Sequence, residues 1–194
     1  MTRLFDPFLW SPSLRRSLNW GITALSVLVC LLVMPTRVPG MELLGVGPNW
    51  MLIWVVVWSV NRTAWEGAIA GLTLGLIQDA MTEPDPTHAI SLAVVGILTA
   101  RLHKQRYIQE DFISVALIVF GMAVIAETVV ALQFTLGSLS NPMGTYPTLG
   151  EIWLFHQQIA LCSAILSSLW APVVYYPLKR WWNLMETVEQ AQLS

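Results

Sequence analysis

The stretch that decides the fold is Trp65-Glu66-Gly67-Ala68-Ile69-Ala70-Gly71-Leu72-Thr73-Leu74-Gly75-Leu76-Ile77-Gln78-Asp79. Gly67, Gly71, Gly75 and Asp79 recur every four residues, so on a helix they form one stripe. A stripe of glycines lets another backbone approach closely, as in the small-xxx-small contacts between membrane helices. The pattern predicts tight packing here, either against another helix of this chain or against a second protein.

The composition of the whole chain is typical of a membrane protein. Its 194 residues are 55% hydrophobic and 11% charged, with a net charge of -2. Soluble domains carry roughly 25% charged residues, and nucleic-acid binding needs a basic face. The composition therefore argues against a soluble globular domain, and it rules out a disordered tail and a nucleic-acid binder.

Six apolar runs follow one another along the chain. They predict an all-α polytopic membrane protein with six transmembrane helices, forming a single integral membrane domain over residues 1–194. We expect Pro172 to kink or stop the last helix, and amphipathic segments at both ends to lie on the membrane surface. The expected helices cover about 18–34, 44–60, 63–80, 87–102, 112–136 and 152–176, and the amphipathic ends cover 3–16 and 179–192.

The basic residues give this arrangement an orientation. If both termini are cytoplasmic, nine of the ten Lys and Arg residues fall on the inner side, and only Arg37 falls outside. Such an asymmetry is what the positive-inside rule describes. The inner nine are Arg3, Arg15, Arg16, Arg62, Arg101, Lys104, Arg106, Lys179 and Arg180.

Two acidic residues within the apolar runs are candidates for function. Asp79 closes the glycine stripe, where it can reach the headgroups, cap the following turn, or lock its helix to a partner or a periplasmic loop. Glu127 lies near the middle of the fifth helix, where a charge costs about 2.5–3.5 kcal/mol. No basic residue is expected at its depth, so we expect a neutral carboxylic acid that donates a hydrogen bond. Its role is then structural, or it serves a proton relay, a substrate contact or a bond to another protein's helix.

Aromatic residues form a second stripe. Trp50, Trp54 and Trp58 recur every four residues on the second helix. This pattern indicates packing or lipid-facing surface, or a grip on an incoming helix of a partner.

Searches for catalytic and metal-binding motifs find none. The sequence has no His-Glu-x-x-His, no Gly-x-Ser-x-Gly and no Walker lysine. His88, His103 and His156 fall in separate segments at unrelated expected depths, so they predict no metal site. We therefore expect a protein that is not an enzyme and uses no cofactor.

Residues 45–135 resemble the MreD family of rod shape-determining membrane proteins. The resemblance is carried by Pro48-Asn49-Trp50, Asn61-Arg62, the glycine helix ending in Gln78-Asp79, His88-Ala89-Ile90-Ser91-Leu92, and the basic segment 101–106. Glu66 and the acidic, proline-broken segment 83–86 depart from the family pattern.

This resemblance implies a non-enzymatic scaffold of the bacterial cell-elongation machinery in the inner membrane. Its implied partners are the single-span protein MreC, the MreB filament, and a peptidoglycan polymerase and transpeptidase pair. It also implies similarity of fold to the substrate-binding subunits of energy-coupling-factor transporters. We expect the partner helix to contact Gly67, Gly71, Gly75, Asp79, Trp50, Trp54, Trp58 and Glu127, and Arg101, Lys104 and Arg106 to contact lipid headgroups or cytoplasmic partners.

A solute-binding role is the alternative. A vitamin-binding subunit of a transporter would need an outer cavity lined by polar groups. The candidates for its lining are Asp79, His88, Asn141, Tyr146 and Glu151.

Overall fold

A computed structural model describes residues 11–36, 40–82, 87–103, 112–140 and 149–193. These residues form six helices and no β-strand. In chain order the helices are α1 (Pro12–Val33), α2 (Trp50–Ser59), α3 (Ala64–Met81), α4 (His88–His103), α5 (Phe112–Ser140) and α6 (Leu149–Leu193).

Three of these helices are long and apolar enough to cross a membrane. They are α1, the part of α5 over Phe112–Gly137, and the part of α6 over Gly150–Ala191. The all-helical fold is thus confirmed, while six complete crossings stay a prediction. The first helix begins at Pro12 and not at residue 18, because Ser11 caps it by accepting a hydrogen bond from the Leu14 N–H at 3.3 Å. Of the predicted N-terminal amphipathic segment, residues 3–10 lie outside the described residues.

Helix α2 is shorter than the predicted 44–60, and it lies in the centre of the bundle. Its expected first turns form a bend instead, with φ of 54° at Leu44 and 80° at Gly45, and Asn49 then caps the helix. Apolar side chains occupy almost all of its circumference, which is typical of a fully buried helix. Accordingly, α2 contacts each of the other five helices, and Ile53 and Val55 are completely buried.

Helix α6 extends beyond residue 176, where the sixth helix was predicted to end. It continues through Pro172 and Pro177 to Leu193, so the expected separate segment 179–192 is its continuation. Each proline removes one backbone hydrogen bond, and its ring crowds the carbonyl group four residues earlier, so packing must offset a cost of about 3 kcal/mol. Side chains that follow Pro177 pack against the protein. Leu178 and Val188 are buried, and the Trp181 indole donates to Asn19 Oδ1 at 3.2 Å.

Helices α3 and α4 run antiparallel. Gly67 near the start of α3 faces Gly96 late in α4, while Gly75 faces Ala89. One end of the bundle therefore collects the start of α1, the α2–α3 connection and the end of α4. We call this the basic end; its described arginines are Arg15, Arg16, Arg62, Arg101 and Arg180.

Candidate functional site

The glycine stripe of α3 packs against α4. A Cβ atom added at Gly71 would lie 2.5 Å from the carbonyl carbon of Leu92, and one added at Gly75 would lie 2.6 Å from the Ala89 nitrogen. Real Cβ contacts are longer, so the backbones touch only because these residues are glycines. The sequence left open whether the glycine stripe contacts another helix of this chain or a second protein. In the structure it contacts α4 of this chain.

Gly96 of α4 completes this contact, and the sequence reasoning missed it. A Cβ atom there would lie 2.6 Å from the carbonyl carbon of Gly67. A lone glycine in an apolar helix carries little information. Its signal is the small residues at 89 and 93, which share its face of α4.

Asp79 joins the end of α3 to the start of α4. Its carboxylate accepts hydrogen bonds from Thr87 Oγ1 at 2.5 Å and from the His88 N–H at 2.8 Å, and it lies 2.8 Å from His88 Nδ1. The side chain is nearly buried, at 8% exposure. Asp79 therefore caps the next helix of its own chain, and these contacts occupy both of its oxygens.

The tryptophans of α2 have three different surroundings. Trp54 is buried, and its indole donates to Ser26 Oγ of α1 at 2.8 Å. Trp58 stacks on Trp54 with centroids 5.8 Å apart, while Trp50 contacts Trp170 of α6 at the same separation. The stripe thus packs mainly against helices of this chain, although Trp54 and Trp58 also border an open groove and Trp50 borders a second cavity.

Glu127 has a basic neighbour, which corrects the expectation that none lies at its depth. His156 Nδ1 of α6 is 3.7 Å from Glu127 Oε2, a separation too long for a hydrogen bond. His156 is 8% exposed, and its Nδ1 has no hydrogen-bond partner among the described residues. The register of α6 on α5 brings the pair together, and that register is set by packing.

A cavity of about 330 Å³ opens beside this pair, between α5 and α6. Glu127, His156 and Trp153 line it. Thr128 and Gln157, both exposed, lie at its edge. We call Glu127, Thr128, His156 and Gln157 together the α5–α6 cleft.

The predicted basic contact segment is only partly described. Arg101 is exposed at the end of α4, whereas Lys104 and Arg106 lie outside the described residues. Within the described chain, no group of three or more His, Cys, Asp or Glu side chains is placed to hold a metal ion.

The residues considered for a vitamin site are not gathered by the described structure. Asp79 and His88 are bonded to each other, and Asn141 and Tyr146 lie outside the described residues. A cavity of about 400 Å³ does lie among the α1–α2 connection, Trp50 and the end of α3. Neither Asp79, His88 nor Glu151 lines it.

A family model described as the rod shape-determining protein MreD matches residues 14–176, which is most of the chain. No curated protein matches the sequence. The family match extends beyond residues 45–135, where the sequence motifs lie, and takes in α1, α5 and most of α6.

Proposed function

The chain belongs to the MreD family and so has a role in rod shape determination, and from this premise we propose that it is a membrane scaffold without enzymatic activity. It binds the single transmembrane helix of an MreC-type partner and positions the MreB filament and the wall-synthesis enzymes. The proposal includes an inner-membrane location with both termini cytoplasmic, and a fold like the substrate-binding subunits of energy-coupling-factor transporters.

The observation that carries the proposal is the α5–α6 cleft. Polar groups at membrane depth are costly unless they find partners, so an open polar cleft in an apolar helix pair indicates function. Hydrogen bonds between membrane helices contribute about 0.6–2 kcal/mol each. A partner helix seated over the cleft would supply the missing bonds.

The cleft is a better candidate than the stripes of α2 and α3. The glycines at 67, 71 and 75 are covered by α4, and Asp79 is fully engaged with Thr87 and His88. Trp54 is buried. Of the predicted contact residues within the bundle, Glu127 is the acid that borders an open cavity.

The chemistry of the cleft suits a hydroxyl or carboxamide side chain on the partner helix. A hydroxyl can donate to the Glu127 carboxyl and accept from the His156 imidazole. Gln157 and Thr128 at the edge can bond to neighbouring positions on the same partner helix. Leu161, which is 55% exposed, provides apolar contact one turn away.

The test is co-purification of the full-length protein with a full-length MreC-type partner from membranes. Gln157→Leu and Glu127→Ala each remove one bonding group, and we expect each to weaken the partner's affinity about 3- to 30-fold. Gln157 is exposed, so its replacement should leave the thermal unfolding midpoint unchanged.

Thr187→Val is the matched control. Thr187 is exposed on α6, and its hydroxyl bonds to the Asn183 carbonyl of its own helix. Its replacement should leave partner binding at the level of the natural protein. If Gln157→Leu and Glu127→Ala fold and bind the partner undiminished, the cleft is not the binding surface; if the natural protein binds no such partner, the scaffold role itself is wrong.

A further inference from the structure

A third open cavity, of about 630 Å³, lies at the basic end between α1, α2 and α3. Its mouth is lined by Asn19, Arg62 and Glu66, and its depth by Val27, Trp54 and Leu74. We call it the α1–α3 groove. It is charged at one end and mostly apolar for the rest of its length, where the polar lining residues are Thr23 and Thr73.

The length of the α1–α3 groove matches one leaflet of a bilayer. On α3 the lining runs from Glu66 to Leu74, which is about 12 Å at 1.5 Å per residue. On α1 and α2 it covers a similar length, from Asn19 to Val27 and from Arg62 back to Trp54. Half the hydrocarbon core is about 15 Å, whereas a spanning helix needs about 30 Å. The dimensions therefore favour an acyl chain over a transmembrane helix.

The mouth of the groove presents opposite charges that influence each other electrostatically but form no direct ion pair in the described structure. Arg62 lies over the Trp58 ring, with its guanidinium carbon 5.1 Å from the centroid. Glu66 turns back to Thr63, whose N–H and hydroxyl each lie 2.8 Å from Oε2. Although these two charged residues are four apart on the chain, no ion pair within 4 Å joins them in the described structure. A cation and an anion thus remain available at one mouth.

We propose that the α1–α3 groove binds one amine-bearing zwitterionic phospholipid of the phosphatidylethanolamine type. The lipid phosphate pairs with the Arg62 guanidinium, whose planar set of donors suits phosphate oxygens. The lipid ammonium donates to the Glu66 carboxylate. One acyl chain lies along Trp54 and Leu74.

This arrangement discriminates between headgroups. Phosphatidylglycerol offers a phosphate to Arg62 but places no cation against Glu66. Phosphatidylcholine is zwitterionic, but its quaternary nitrogen has no N–H to donate. We therefore expect the ethanolamine lipid to bind most tightly of the three.

The first experiment compares the three lipids with identical acyl chains on the delipidated full-length protein, by titration of the thermal unfolding midpoint. We expect phosphatidylethanolamine to bind about 5- to 10-fold more tightly than the other two, which is within the range of one solvent-exposed hydrogen bond. Equal affinities for the three lipids, or tighter binding of phosphatidylglycerol, would overturn the proposal.

Two substitutions test the proposed contacts of Glu66 and Arg62 with the lipid headgroup one at a time. Glu66→Gln retains a side-chain oxygen for the Thr63 N–H, so the fold should survive while the preference for phosphatidylethanolamine over phosphatidylglycerol is lost. Arg62→Gln should weaken both lipids. Arg180→Gln is the control, since Arg180 is an exposed arginine at the same end and does not line the groove. Unchanged lipid preference in Glu66→Gln contradicts the assigned ammonium contact.

A photo-crosslinking amino acid in place of Ala70, within the groove, identifies the occupant in native membranes. Intact mass spectrometry should show an added mass equal to phosphatidylethanolamine. The same replacement at Ile113, exposed on α5, is the control for general lipid contact and should give no preference for that headgroup. An adduct at residue 70 with a protein or with phosphatidylglycerol, or no adduct, overturns the proposal.

Discussion

Asp79, near the end of α3, accepts a 2.8 Å hydrogen bond from the backbone N–H of His88, the first residue of α4. The same carboxylate accepts from Thr87, so it satisfies groups that the start of α4 would otherwise leave without partners. The bond fixes where α4 begins relative to α3. The glycine contacts then hold the two helices together along their length.

Replacing Asp79 with Ala should destabilise the protein. The change removes an N-cap acceptor and leaves the Thr87 hydroxyl and the His88 N–H unpaired. We expect a loss of about 1–2 kcal/mol, or roughly 2–8 °C in the thermal unfolding midpoint. Asp79→Asn keeps one acceptor oxygen and should lose less. Equal stability of Asp79→Ala and the natural protein would show that the cap contributes nothing.

Gly71→Ala should destabilise the α3–α4 pair. The added methyl group meets the Leu92 carbonyl, which is backbone and cannot rotate away, so the helices must separate. Overpacking of this kind costs about 1–3 kcal/mol. Gly121→Ala on α5 is the control, since nothing lies within 4 Å of its Cβ position, and it should be neutral or stabilising. A Gly71→Ala midpoint that equals or exceeds that of Gly121→Ala contradicts the close contact.

This packing also changes how partner binding can be tested. A large side chain at Gly71 would disturb α3 and α4 before it reached any partner. Loss of a partner from such a variant would therefore report misfolding. Substitutions on exposed positions such as Gln157 avoid this ambiguity.

Much of the fold could be predicted from apolar runs and glycine spacing, but lengths and registers could not. A complete span would need α2 to begin near residue 44, yet the chain bends at Leu44 and Gly45, so the helix begins only at Trp50. Conversely, Pro177 does not end α6, because packing beyond it outweighs the lost backbone bond. Hydropathy measures neither effect.

The candidate site could also be predicted only in part, because its geometry depends on the register between helices. Glu127 could be selected from the sequence because a carboxyl within an apolar helix is rare. His156 could not be matched to it, because the pairing depends on how α6 slides along α5. Likewise, the stripe at Gly67, Gly71 and Gly75 predicted a close contact, while the identity of the opposing helix came only from the structure.

The bond between Trp54 and Ser26 should attach α1 to the bundle. Only 6% of the most apolar stretch of α1 is buried against the rest of the protein, so few other contacts hold this helix. Trp54→Phe and Ser26→Ala each remove the 2.8 Å bond, and each should cost about 0.5–1.5 kcal/mol. The double variant should lose less than the sum, because both changes delete the same interaction. Strict additivity of the unfolding free energies would show that the two groups do not interact.

The continuation of α6 predicts that its last turns stabilise the folded protein. Val188 is completely buried, although it lies in the segment expected to rest on the membrane surface. Val188→Ala removes two buried carbon atoms from the side chain. We expect the free energy of unfolding to fall by about 1–2 kcal/mol. Thr187→Ala is the control, because Thr187 is exposed and its hydroxyl bonds only to the Asn183 carbonyl of its own helix. Thermal unfolding of the two variants in the same detergent checks the prediction: equal midpoints would mean that the end of α6 is not packed against the protein.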